Sequence, residues 1–149
     1  MIDQQDAAQA LLHSWLSLSS ILWNTRVVRS MTFNEAHIMG ILLRESTPQS
    51  PLTATDLIAQ THLLKSQMNK ILSTLEAKGY ITRMRAQSDR RMAHILLTQE
   101  GKAAYLAEHE GVEDILRRLI ERIGTQRAKA VAKELVDISA LLDEILPNP

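Results

Sequence analysis

The chain has 149 residues, with 17 Lys and Arg against 17 Asp and Glu, and no cysteine. That length suits one compact domain, and the missing cysteines exclude a disulfide framework, a thiolate zinc site and a redox-sensing thiol. No apolar stretch approaches the ~18 residues of a membrane span, and Met1 to Asp6, with two acids and no Lys or Arg, lacks the charge of a secretory leader, so a cytoplasmic protein is expected.

From Ala7 to Trp23, Ala8, Leu11, Leu12, Trp15, Leu18 and Leu22 recur at three- and four-residue steps, which predicts a first helix with one broad apolar face. Thr32 and Glu35 have capping-box spacing, and the continuous apolar run Ile38 to Leu43 predicts a largely buried second helix ending near Glu45. The turn cluster Ser46 to Pro51 follows. Thr53 with Asp56 then opens a short helix through about Gln60, with a break over Thr61 to Leu64.

Between Lys65 and Lys78, Met68, Ile71, Leu72 and Leu75 share one helical face, while Lys65, Ser66, Gln67, Asn69, Lys70, Ser73 and Thr74 occupy the other. Gly79 is placed to end that helix. Tyr80 to Arg85 and Arg91 to Leu97 alternate with period two, predicting a hairpin whose tip, Gln87 to Arg90, is basic. Thr98 is placed to cap a long helical region, in which Val112, Ile115, Leu116, Leu119 and Ile123, then Val131, Leu135, Ile138, Leu142 and Ile145, keep helical spacing. Gly124-Thr125 divides it.

Charge is unevenly placed. Leu52 to Thr98 holds seven Lys and Arg against three Asp and Glu, a net +4, so the remainder carries −4. A basic middle between acidic ends fits a nucleic-acid reader, because counterion release rewards charge only where phosphate is contacted; a merely solvated basic face is the plainer alternative. Short helix, turn, polar-faced helix and basic hairpin form the arrangement of a winged helix-turn-helix, whose second helix enters the major groove. The expected fold class is therefore mainly α with a small β-hairpin wing.

The stretch Asp89 to Gly101 matches D-x-R-x5-L-T-x-x-G at every fixed position, and in this it resembles the wing of MarR-type transcriptional regulators. Thr55 to Gln60, Ser66 to Leu72 and Leu75 to Ile81 are similar to that family's helix-turn-helix without a gap. The resemblance implies a helical dimerisation region over 1–30 and 102–149 and a DNA-binding lobe over 31–101. It further implies a homodimer, usually a repressor, on a palindromic operator, for which its affinity often changes when a small molecule binds. Two departures stand out: Leu64 replaces the usual capping residue of the recognition helix, and His62 stands where Gly is frequent, which asks a non-Gly residue to take positive φ.

Lys65, Ser66, Gln67, Asn69, Lys70 and Thr74 are the recognition-helix candidates. Gln and Asn pair bidentately with adenine, Lys donates to guanine, and Lys65 suits a phosphate. In the wing, Arg91 resembles the family arginine that reaches the minor groove, with Asp89 holding its guanidinium, while Arg83, Arg85 and Arg90 supply phosphate contacts. The long apolar stripes exceed what one thin helical layer buries and predict a dimer.

The resemblance also implies an aromatic or phenolic effector, for which Trp15, Trp23, Arg26, His37 and Met39 are candidates, each better explained as packing. A metal-responsive alternative points to His37 and to the i, i+4 pair His109 and Glu113. A winged-helix module that binds protein instead of DNA is the other alternative. No nucleophile elbow, metalloprotease or phosphate-loop motif occurs, so neither an enzyme nor a cofactor is expected.

Overall fold

The computed structural model describes residues 2–24, 30–85 and 92–146. Within them the order is α1 (Ile2–Asn24), α2 (Phe33–Glu45), β1 (Leu52–Thr53), α3 (Ala54–Thr61), α4 (Lys65–Ala77), β2 (Ile81–Arg85), β3 (Ala93–Leu97), α5 (Gln99–Ile123) and α6 (Thr125–Ile145).

Local chemistry places most helix starts. Thr32 Oγ1 accepts from Glu35 N–H at 3.2 Å while Glu35 Oε2 accepts from Thr32 N–H at 2.9 Å. Thr53 and Asp56 repeat the exchange at 3.3 and 2.8 Å. Each box satisfies two backbone donors that a helix N-terminus otherwise leaves open. His62, as its position required, is left-handed at φ 55°, and Gly79, at φ 74°, follows the end of α4.

The hairpin of the sequence reading is part of a larger sheet. β1 adds to the free side of β3, giving the order β1-β3-β2, antiparallel throughout. Leu52 lies opposite Ile95, and Arg83 lies opposite Ile95 on the other side. Two residues are too few for a periodicity signal, so β1 was not legible in the chain. Ser46 holds the junction: its Oγ donates to Ile95 O at 2.7 Å and accepts from Leu52 N–H at 3.0 Å.

Ile38, Met39, Ile41 and Leu42 of α2, Leu57 of α3, Met68, Leu72 and Leu75 of α4, and Ile81 and Ile95 of the sheet form one buried core. Leu43, expected inside with its neighbours, is only partly covered. The core also holds a charge. Glu35 is 4% exposed, and its Oε2 accepts from Lys78 Nζ at 2.9 Å, clasping the start of α2 to the end of α4. Lys78→Met is expected to cost about 2 kcal/mol, below the figure for a fully buried pair because the lysine reaches solvent. A lowered urea midpoint at constant m-value would show it; an unchanged midpoint would make the pair idle.

Outside this core the packing is thin. α1 barely touches the rest of the described chain, and α6 meets α5 but buries none of its own residues. Leu11, Leu12, Trp15, Leu16 and Ile21 of α1 and Leu135, Val136 and Leu141 of α6 are each more than half exposed. No helix among the described residues is long and apolar enough to cross a membrane.

Candidate nucleic-acid interface

Burial of Met68, Leu72 and Leu75 decides which side of α4 faces outward. Lys65, Ser66, Gln67, Asn69 and Lys70 are all exposed, and they occupy the first turns of the helix. The six recognition-helix candidates fall into two groups. Lys65, Ser66, Asn69 and Lys70 make no side-chain hydrogen bond or ion pair among the described residues. Gln67 and Thr74 are engaged: Gln67 Oε1 accepts from Leu64 N–H at 3.0 Å, and Thr74 Oγ1 donates to Lys70 O at 3.0 Å. Leu64 itself provides no side-chain cap.

The sheet lies against this helix. Arg85 is exposed on β2, as a phosphate contact requires. Arg83, assigned the same task from the sequence, is turned inward instead: its Nε is 3.2 Å from Glu76 Oε2 and its Nη2 donates to Ser73 Oγ at 3.1 Å. It fastens β2 to α4 and fixes the wing's stem against the helix, a positioning part that charge alone does not reveal. Arg83 and Asn69 also border a cleft of about 430 Å³ with Thr55, Asp56 and Met92. The wing-tip candidates Asp89, Arg90 and Arg91 lie outside the described residues.

The end of the wing motif is structural. Thr98 Oγ1 accepts from Gly101 N–H at 2.9 Å, capping α5, and donates to Gly79 O at 2.7 Å. Thr98 N–H donates to Tyr80 O at 3.0 Å. The start of α5 is thereby pressed onto the turn that follows α4.

The effector candidates that are described stand in unlike settings. Met39 is fully buried in the core, Trp15 is 59% exposed on α1, and Arg26 and the side chain of Trp23 lie outside the described residues. His37 sits on α2 with its ring 6.5 Å from that of Phe33. Partial desolvation, helped by the nearby Arg44 charge, lowers its pKa below the ordinary histidine value and keeps it neutral at pH 7. His109 Nε2 is 3.1 Å from Glu113 Oε1 and its ring stacks on Tyr105 at 5.5 Å. The described residues contain no group of three or more His, Cys, Asp or Glu able to hold a metal.

Comparison with known proteins agrees with this geometry. A sequence profile described as MarR family matches residues 30–92. The transcriptional repressor MprA of Escherichia coli K12 is 23% identical over 136 residues, covering 78% of this chain and 77% of that protein. Streptococcus pneumoniae FabT, solved in complex with DNA, superposes with a TM-score of 0.64 at 19% identity over 97% of this chain and 98% of that one. Streptomyces coelicolor PcaV, solved with its natural ligand, gives 0.70 at 21% identity over 87% and 89%.

Proposed function

We propose that the chain, whose residues 30–92 match the MarR family profile, is a winged-helix regulator of that type, and that it binds a palindromic operator as a homodimer, represses, and is modulated by a small molecule. The observation that carries the DNA-reading part is the set of unengaged polar side chains, Lys65, Ser66, Asn69 and Lys70, on the first turns of α4. A helix end so furnished offers donors to base edges and phosphates, where an interface for protein would be expected to show apolar anchors.

The division of labour proposed is 31–101 for DNA and 1–30 with 102–149 for assembly. Support for the second part comes from the bare apolar faces of α1 and α6, which a second copy would cover. Two-fold symmetry then sets two recognition helices on half-sites about 10 base pairs apart. Ligand response is proposed from the likeness to PcaV with its ligand, and an aromatic or phenolic acid is the class to screen first.

The test is binding of the purified protein to its own upstream DNA at two salt concentrations, beside unrelated DNA. Lys70→Ala and Arg91→Ala are each expected to weaken binding about tenfold, and loss of a phosphate contact lowers the salt slope by about 1. No preference of the wild type for its own region at either salt would remove the regulator reading in favour of a protein partner.

A further inference from the structure

The turn into α4 presents an apolar side chain where the helix would gain most from a polar one. Leu64 holds the N-cap position and offers no oxygen to the open N–H groups of the first turn, whereas a serine there would favour the helix by about fivefold. Its neighbour Leu63 packs against the core. Leu64 is 57% exposed, and between Asn34 and Arg83 it is the one exposed large hydrophobic among the described residues.

Two features set it apart from a stray surface leucine. Its backbone is held on both sides: Leu64 N–H donates to Gln67 Oε1 at 3.0 Å, and Leu64 O accepts from Met68 N–H at 2.9 Å. It is followed along α4 by Lys65, Ser66, Asn69 and Lys70, the unengaged polar groups of the first turns, and it lies on neither α1 nor α6, whose bare faces suit a second copy. A lone leucine in such company is too small a patch for a protein partner. A recognition helix enters the major groove by its N-terminal end, so what Leu64 meets there is a base edge. Of the four bases only thymine carries an apolar group on that edge, its 5-methyl. Opposite the others, a leucine would strip water from polar atoms and return no bond.

We propose that Leu64 reads the 5-methyl group of one thymine in each half-site, an apolar contact at the place where the helix forgoes a cap. This rests on the DNA-reading role of α4 proposed above. A break of a local rule without a structural return is what a functional position shows.

The experiment first selects an operator from a randomised duplex library with the full-length wild type. Each thymine of that operator is then replaced singly by deoxyuridine, which removes the methyl and leaves every hydrogen-bonding group in place. Binding of the wild type should fall about fourfold at one position of each half-site, the worth of one buried methyl. Leu64→Ser, whose hydroxyl restores a cap and so keeps the helix, should bind the thymine and deoxyuridine duplexes alike at that position. Leu64→Met keeps an apolar side chain and should keep the difference. A selected operator on which no replacement weakens the wild type, or on which Leu64→Ser suffers the same losses as the wild type, overturns this inference while sparing the DNA-reading role. A wild type that selects no sequence at all removes both.

Discussion

Gly101→Ala is expected to lower the free energy of unfolding by about 3 kcal/mol. A Cβ at that position would stand 2.1 Å from the carbonyl oxygen of Tyr80 and 2.8 Å from its carbonyl carbon, distances no relaxed contact reaches. The obstacle is backbone, and it is pinned: Tyr80 O accepts from Thr98 N–H, and Thr98 Oγ1 bonds both Gly79 O and Gly101 N–H. Relief requires α5 to back away and lose its cap. For a chain of this size that corresponds to a fall of roughly 6–12 °C in Tm. Gly111 is the internal control, on the same helix with nothing within 4 Å of its Cβ position, so Gly111→Ala should gain up to about 1 kcal/mol. Equal melting temperatures for Gly101→Ala and wild type would refute the account of the close approach.

Leu135→Glu is expected to make the protein monomeric and to weaken operator binding by more than about 100-fold. Leu135 is 52% exposed in a helix with no buried residue, and under the proposed two-fold symmetry one substitution places a carboxylate on both sides of the interface, unpaired and desolvated. The large effect on DNA follows from valency. A monomer engages one half-site and forfeits the gain of two linked contacts, which amounts to about 10²- to 10⁴-fold. Sedimentation equilibrium alongside DNA binding checks it, with Lys129→Gln on the same helix as a charge change that should alter neither. A Leu135→Glu protein that remains dimeric would place the assembly surface elsewhere.

What was legible in the chain was what lies close along it. Thr32 with Glu35 and Thr53 with Asp56 are three residues apart, and both boxes form as written. The polar and apolar sides of Lys65–Ala77 come from a single helical period. What was not legible depends on distant partners. Glu35 and Lys78 are separated by 43 positions, and neither residue announces a buried pair. Arg83 reads as a cation on a hairpin until Ser73 and Glu76 arrive beside it. The glycine of the wing motif is visible as a letter, but its reason is the carbonyl of Tyr80, brought close only by the fold. Gln67 shows a limit of another kind: its bond to Leu64 N–H is local, yet Leu64 has no oxygen to return it, so the spacing does not read as a capping box.

The strand order has a consequence for solubility. β1 covers one side of β3 with two residues, and β2 occupies the opposite border of the sheet. An open border of this sort is a template on which a second molecule can add strand after strand. Arg85 stands exposed at the end of β2, so two copies meeting border to border bring like charges together and are driven apart. The same positive charge that draws the protein toward a polyanion therefore guards its sheet against runaway stacking.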